Sequence, residues 1–347
     1  MLEVRTLTDG GQAPADVARR VADFVEEARD SLDFAHYDFH LGGETAAIVG
    51  GAIKSAARRG VRIRFLYNVD HRNPIPVPPP PEPDAELIES LGVPARAIAG
   101  VPDLMHHKFA VRDAASVWTG STNWTDESWS RQENVIVLAD SPELARRFTQ
   151  DFEQLWGTSL VEGTGAVPSS PIGVGDLEVR TWFTPSHGEA LSYRIGKAIG
   201  QARRRVRIAS PVITAAPILA ALSQVISEAR VDVAGCVDGP QIGGVIYQWG
   251  ENGNAAWKLP MLEQVLAAPF SAKISTPWEE SGSVHDFMHA KLVVADDTVF
   301  TGSYNHSRSG ELNAENVLEI RDAELADRLA AYVDEVRGRY PPFALSR

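Results

Sequence analysis

The sequence has one cysteine and lacks a long apolar run. Cys236 is alone among 347 residues, so an intrachain disulfide is excluded and a reducing compartment is favoured. We expect Cys236 to be a small buried side chain. The N-terminus has no basic stretch followed by an apolar run, so no secretory signal is predicted. The sequence also has no stretch of about eighteen apolar residues, so no membrane-spanning helix is predicted. These absences favour a cytoplasmic protein and leave peripheral membrane contact open.

An excess of basic residues is also missing. The chain has 33 lysines and arginines against 46 acidic residues, a formal charge of −13, which repels polyanions at long range. Non-specific nucleic-acid binding is therefore disfavoured, although a local basic cleft is still able to contact phosphates. With 44% hydrophobic and 23% charged residues the composition is that of a folded globular protein, and the length favours two domains.

The chain contains an internal repeat of one structural unit. Leu2–Thr6 recurs as Leu177–Thr181, an offset of 177 − 2 = 175, and each copy precedes a helical pattern and then a strand. Alternating strands and helices predict α/β units around a mostly parallel or mixed sheet. The segment Gly157–Asp176 is rich in Gly, Ser and Pro and is interpreted as a linker. We therefore predict two lobes, 1–165 and 166–347.

Two insertions interrupt this symmetry. Pro74–Pro83 has seven prolines in ten positions, which enforces an extended, unpaired loop, either a surface loop or a wall of the active site. Gly239–Gly253 contains five glycines, together with Tyr247 and Trp249. That composition is typical of a mobile flap or of an ordinary surface excursion.

The same polar residues occur at matching positions in both halves. The first set is His106, Lys108, Asp113, Gly120, Ser121, Asn123 and Glu133, and the second is His289, Lys291, Asp296, Gly302, Ser303, Asn305 and Glu315. The offset is 289 − 106 = 183 for the histidines, and 302 − 120 = 182 for the glycines, as it is for the glutamates. A one-residue deletion between the aspartate and the glycine explains the difference.

The histidine and lysine of each set suit phosphate chemistry. A strand places residues i and i+2 on one face, so His106 and Lys108 are expected to point together, as are His289 and Lys291. Two lysines would neutralise the non-bridging phosphate oxygens. One imidazole would attack phosphorus while the other protonates the leaving oxygen.

The remaining polar residues supply supporting groups. Ser121 and Ser303, each after a glycine, are candidates for close approach to a phosphate, and Asn123 and Asn305 add amide donors. A carboxylate is able to hold an imidazole in one tautomer, and the candidates for that role are Glu133 and Glu315.

Two copies of H-x-K-x4-D followed by G-S-x-N resemble the phospholipase D superfamily, and the likeness extends along nearly the whole chain. The resemblance implies an α/β fold of two similar lobes related by a pseudo-two-fold axis, each a mixed β-sheet flanked by helices, with one active site at their interface. It also implies metal-independent chemistry without a cofactor. His106 is then the nucleophile and His289 the general acid, with exchanged roles left open, and Asp113 and Asp296 organise the site.

Other functions fit some of these residues. Two histidines with two glutamates are able to hold zinc or iron, but Lys108 and Lys291 would each place an ammonium beside the cation. A non-catalytic phosphate-binding module would be expected to have lost a histidine or lysine, and none is missing. Among enzymes resembling this one are phospholipases, phosphatidyltransferases and nucleases. The acidic net charge favours a phospholipid substrate over nucleic acid.

Overall fold

The computed structural model describes residues 1–70, 83–253, 255–276 and 285–344. The proline-rich segment predicted as a loop therefore lies outside the described residues, apart from Pro83. The elements of the first half, in chain order, are β1 (Leu2–Leu7), α1 (Pro14–Glu26), β2 (Ser31–His36), β3 (Phe39–His40), α2 (Gly43–Arg58), β4 (Arg62–Val69), α3 (Ala85–Ser90), β5 (Ala95–Ala99), β6 (Lys108–Arg112), β7 (Ser116–Gly120), β8 (Trp124–Thr125), α4 (Asp126–Ser130), β9 (Asn134–Asp140) and α5 (Pro142–Thr158).

The second half repeats this order with extra elements. It contains β10 (Pro171–Val174), β11 (Leu177–Phe183), α6 (Gly188–Gln201), β12 (Arg205–Ser210), α7 (Ala216–Glu228), β13 (Asp232–Asp238), α8 (Gly239–Asn252), a 3-10 turn (Ala256–Lys258), α9 (Leu259–Leu266), β14 (Phe270–Lys273), β15 (Leu292–Ala295), β16 (Thr298–Gly302), α10 (Arg308–Leu312), β17 (Asn316–Arg321) and α11 (Ala323–Arg339).

The strands form two large mixed sheets of matching topology. Across the described ranges, the first has the order β1-β9-β7-β6-β2-β4-β5 and the second β10-β11-β17-β16-β15-β12-β13-β14. If β10 is set aside, the sheets correspond strand for strand, and in both the last three strands run parallel. The predicted α/β class with a mixed sheet in each half is confirmed.

The segment predicted as a flap is a helix. Gly239–Gly253 forms α8 and its C-cap, although five of its residues are glycine. Asp238 caps the helix by accepting a hydrogen bond from the backbone N–H of Gln241, and Pro240 occupies the first turn, where its missing N–H costs nothing. The cap and the proline set the start of this helix despite the low propensity of glycine.

A shared core joins the two halves. One cluster of buried side chains mixes residues from both sheets with residues of α5 and α11, among them Phe152, Phe183 and Val333, while a separate cluster fills the outer side of each sheet. Cys236 is fully buried, as expected. No helix in the described part of the chain is long and apolar enough to span a bilayer.

Candidate active site

The two histidine–lysine pairs lie at the same place in the two sheets. His106 comes two residues before Lys108, the first residue of β6, and His289 and Lys291 directly precede β15. Each lysine Nζ donates a hydrogen bond of 2.7 Å to the carbonyl oxygen of its own histidine. The histidines thus stand just ahead of the strands, and the lysine of each pair is fixed by the backbone beside it.

These four side chains share one buried site. Burial is the main cause that lowers the pKa of both His106 and His289 well below its usual value. The charges of Lys108 and Lys291 add to this effect, and each histidine feels the lysine of the other half as well as its own. Two motifs separated by more than 180 residues therefore meet.

His106 is oriented by a carboxylate from the other half. Its Nδ1 lies 2.8 Å from Oε2 of Glu315, a side chain that is fully buried. Burial raises the pKa of Glu315 to about 8, opposed by the charges of Lys108 and Lys291 and by a hydrogen bond from the Ser303 side chain. When Glu315 is ionised it accepts a hydrogen bond from Nδ1–H of His106, which leaves Nε2 of His106 unprotonated and able to act as a nucleophile.

His289 is oriented by an amide instead. Its Nδ1 lies 3.1 Å from Oδ1 of Asn134, which also accepts a 2.7 Å hydrogen bond from the Ser121 hydroxyl. The Asn134 amide group is fixed from its other end, because Nδ2 donates to the carbonyl of Ser128 at 3.1 Å. Sequence reasoning had assigned no role to Asn134.

Glu133, the other carboxylate predicted to hold an imidazole, contacts different groups. Oε2 of Glu133 lies 3.0 Å from Nζ of the buried Lys273, and Oε1 accepts a hydrogen bond from the Tyr340 hydroxyl. Lys273 is also 3.2 Å from Oδ2 of Asp9. Glu133 is therefore part of an ion-pair cluster beside the site and not a partner of the imidazole.

A slip of one residue in strand pairing causes this difference. In the first sheet Gly120 of β7 pairs with Ile136 of β9, whereas in the second Gly302 of β16 pairs with Val317 of β17. Val317 corresponds in sequence to Val135, since 317 − 182 = 135. Successive strand residues face opposite sides, so a one-residue slip exchanges the side chains that face the site.

The slip gives Asn134 the place that Glu315 holds in the other half. Each contacts the serine hydroxyl of its own motif, Ser121 or Ser303, and the histidine of the opposite motif. The sequence repeat aligns Glu133 with Glu315, but the spatial counterpart of Glu315 is Asn134. The site is thus symmetric in layout and asymmetric in charge.

The serines and asparagines predicted to bind phosphate divide into two groups. The hydroxyls of Ser121 and Ser303 are engaged by their orienting residues and by backbone N–H groups, so they position the site and are not held ready for a ligand. The amide oxygens of Asn123 and Asn305 are buried without a hydrogen-bond partner among the described residues. A phosphate accepts hydrogen bonds from donors only, so the contact predicted for Asn123 and Asn305 would have to come from their NH2 groups and stays a prediction.

Asp113 and Asp296 lie at the other end of the sheets. Asp113 follows β6 and Asp296 follows β15, so each is roughly 15–20 Å of strand away from its histidine. Asp113 accepts hydrogen bonds from the backbone N–H groups of residues 29, 30 and 31, and Asp296 from those of residues 203, 204 and 205. The two carboxylates thus fix the loop between α1 and β2 and the loop between α6 and β12, and do not touch the histidines. These bonds hold the pKa of each carboxyl below its usual value, although burial opposes them.

Two further residues border the site. The Tyr37 ring centroid is 4.6 Å from that of His106, and Nζ of Lys108 stands 4.9 Å above the Tyr37 ring. His107 is fully buried, with Nε2 2.7 Å from Oδ2 of Asp151 and Nδ1 3.1 Å from Nδ2 of Asn316. His107 thus joins α5 to the first residue of β17.

Sheets of matching topology whose histidine–lysine motifs meet at a shared cleft define the class of protein. A family model described as "Cardiolipin synthase, PLD-like domain" matches residues 21–156 and 195–337. Those segments make up more than half of the chain. The chain therefore belongs to the phospholipase D-like family.

Curated relatives match the chain over a shorter stretch. The human mitochondrial cardiolipin hydrolase is 29% identical over 129 residues, which cover 37% of this chain and 46% of that protein. The mouse mitochondrial cardiolipin hydrolase is 30% identical over 130 residues, covering 37% and 53%. The chain thus spans about half the length of the curated relatives it matches.

A solved structure matches nearly the whole fold. Phosphatidylserine synthase of Haemophilus influenzae Rd KW20 superposes with a TM-score of 0.65 at 12% sequence identity, over 97% of this chain and 86% of that one. The identity is low, so the likeness concerns the arrangement of two similar lobes. It supports the predicted fold class.

Proposed function

We propose that the protein is a phosphodiesterase of phospholipase D type, which hydrolyses or transfers the phosphatidyl group of a phospholipid through a phosphohistidine. The observation that carries this proposal is the pair of buried imidazoles between two lysines, with a carboxylate behind His106 and an amide behind His289. The two imidazoles are alike in position and differ in the group that each Nδ1 contacts. Such a pair suits one nucleophile and one acid.

The first step forms the covalent intermediate. Nε2 of His106 attacks phosphorus, the bond from phosphorus to the leaving oxygen breaks, and that oxygen takes the proton of Nε2 on His289. The imidazole of His106 then carries a positive charge, which the carboxylate of Glu315 stabilises across its 2.8 Å hydrogen bond.

The second step regenerates the enzyme. Neutral His289 takes a proton from water or from an alcohol, whose oxygen attacks phosphorus while the bond to His106 breaks. Water gives hydrolysis and an alcohol gives transfer. An imidazole held by the neutral amide of Asn134 is less basic than one held by a carboxylate, so His289 is the better proton donor of the two.

The phosphodiester itself sets the charge of this site. Burial lowers the pKa of Lys108 to about 7 and that of Lys291 well below its usual value. A bound anion between the lysines opposes this effect and also raises the pKa of His289. Substrate binding therefore supplies the protonation state that the first step needs.

Two observations favour phospholipid as the substrate. The curated relatives named above are cardiolipin hydrolases, and the structural neighbour is a phosphatidylserine synthase. The charge of −13 opposes the approach of a long polyanion, whereas a phospholipid headgroup presents one or two phosphates.

The test uses a lipid whose leaving group needs no acid. With phosphatidyl-p-nitrophenol, we expect His289→Ala to form and accumulate a phosphohistidine, detected by mass spectrometry after an alkaline quench, because its breakdown lacks a base. His106→Ala should form none. His40→Ala, which removes an exposed histidine, is the matched control and should behave as the wild type.

Other outcomes would replace the proposal. Cleavage of single- or double-stranded DNA with no release of headgroup from phosphatidylcholine or phosphatidylglycerol vesicles would make the protein a nuclease. Activity that is abolished by EDTA and restored by zinc would remove the basis for a phosphohistidine. Competition by added alcohols separates transfer from hydrolysis.

A further inference from the structure

Exposed apolar side chains concentrate at the end of the sheets that carries the site. Of the eight large apolar residues that are exposed in the described part of the chain, five lie in segments attached to this end. They are Val101, Tyr247, Trp257, Ile274 and Leu312, and we call this set the exposed rim. Ile274 is 70% exposed, Trp257 62% and Tyr247 57%, values unusual for side chains of this size.

One side of the rim is tied to the second motif. Trp257 precedes Lys258, whose Nζ donates to the carbonyl of Thr214 at 3.2 Å. The backbone N–H of Thr214 in turn donates to the carbonyl of His306 at 2.7 Å, directly after Asn305 of the motif. Two hydrogen bonds thus connect the segment that carries Trp257 to the cleft.

Ile274 is tied to the cleft by another route. It directly follows Lys273, which pairs with Glu133, the residue before Asn134. Two other rim residues border the seam between the halves. Leu312 ends α10, and the next residue, Asn313, accepts a hydrogen bond of 2.9 Å from the backbone N–H of Leu104, three residues after Val101.

The chemistry of the rim matches the surface of a bilayer. Trp and Tyr have apolar bodies with one polar atom and concentrate where headgroups meet hydrocarbon. Nζ of Lys258 lies 5.2 Å from the ring centre of Trp249 and 5.7 Å from that of Trp257, so a cation accompanies the aromatic rings. Valine, isoleucine and leucine offer nothing on which nucleobases stack, so the set suits lipid better than single-stranded nucleic acid.

We propose that the exposed rim inserts into the headgroup region of a phospholipid bilayer and so brings the cleft to its substrate. The inference rests on the proposed function, because a bilayer surface serves this site only if the substrate is a phospholipid. It adds the surface through which a chain of net charge −13 would hold a membrane. Apolar insertion is the attraction that remains when long-range electrostatics oppose approach.

The test measures binding apart from turnover. The full chain is sedimented with phosphatidylcholine vesicles, and Trp257→Ala and Ile274→Ala, singly and together, are compared with Leu160→Ala. Leu160 is 58% exposed and lies outside the rim, which makes it the matched control. We expect the vesicle partition coefficient to fall on the order of 10-fold for each rim substitution and to stay unchanged for the control.

Hydrolysis of bis(p-nitrophenyl) phosphate, a water-soluble diester, shows whether each variant is folded and chemically intact. Unchanged turnover of this diester, together with lost vesicle binding, supports the rim. Vesicle binding equal to the wild type in the double variant overturns it, and so does a loss of single-stranded DNA binding with no loss of vesicle binding. Rim-dependent binding by a protein that cleaves the soluble diester but no phospholipid would leave the rim standing and refute the proposed lipid substrate.

Discussion

Glu133 and Glu315 occupy equivalent positions in the sequence repeat, yet we expect loss of Glu315 to lower kcat and loss of Glu133 to lower stability. The perturbation is Glu→Gln at each position, which keeps the shape and removes the charge. Glu315 makes a fully buried hydrogen bond of 2.8 Å to His106, and Glu133 makes an ion pair of 3.0 Å with Lys273. The first contact serves the reaction and the second serves the fold.

The size of each effect is worked from those contacts. A charge-assisted hydrogen bond contributes about 1.5–3 kcal/mol, so Glu315→Gln should lower kcat roughly 10- to 150-fold. Its free energy of unfolding should change little, because burial already raises the pKa of Glu315 to about 8 and the neutral form fits the site. Glu133→Gln should leave kcat within a few-fold of the wild type.

The stability effect falls on the other variant. Lys273 is buried, and after Glu133→Gln it keeps Asp9 at 3.2 Å and the Arg131 carbonyl at 2.9 Å. Loss of one of two carboxylate partners should therefore cost about 1.5–3 kcal/mol of unfolding free energy, less than the loss of a sole partner.

Steady-state kinetics with phosphatidyl-p-nitrophenol and urea unfolding measure both quantities on the same preparations. If Glu133→Gln proved as inactive as Glu315→Gln while retaining wild-type stability, Glu133 would be orienting His289. That result would refute the assignment of Asn134 as the residue that orients His289.

Two other perturbations test the charges and the loops. Because kcat/KM needs Glu315 ionised and His289 and both lysines protonated, it should rise and then fall with pH; Glu315→Gln, which has no proton to lose, should abolish the rise. A rise that persists in Glu315→Gln would exclude Glu315 as its source. Asp113→Asn and Asp296→Asn should each lower the unfolding free energy by about 1–3 kcal/mol without changing kcat, since both carboxylates bind backbone N–H groups far from the histidines. A large loss of kcat in a variant of wild-type stability would show that these aspartates act in the reaction.

The fold was predictable because the repeat carries its own pattern of strands and helices. Leu2–Thr6 and Leu177–Thr181 do form corresponding strands, each paired with the last strand of its half. The position of Asp113 was also open to prediction, since the four strand residues that follow Lys108 separate the two side chains. Strand length was the signal that motif reasoning overlooked.

The helix over Gly239–Asn252 was open to prediction as well. An aspartate at the cap followed by proline in the first turn is a start signal that outweighs the number of glycines. The glycine count alone pointed to a loop.

The partner of His289 could not be obtained from spacing. The offset between the copies is 182 at both the glycine and the glutamate, and it falls to 322 − 141 = 181 only at the helix caps Ser141 and Asp322, so the matching glutamates hide the one-residue difference. The slip lies in how β7 pairs with β9 and β16 with β17, which depends on the packing of each sheet. Only the three-dimensional pairing brings Asn134 to the imidazole.

That slip has a chemical consequence for a protein built from a duplicated unit. An exact repeat would place the same group behind both imidazoles and would give them similar proton affinities. The proposed reaction needs one imidazole that gives up its Nε2 proton readily and one that carries a positive charge while bonded to phosphorus. A carboxylate behind His106 and an amide behind His289 separate the two roles without moving either histidine, so the order of nucleophile and acid follows from one shift in strand register.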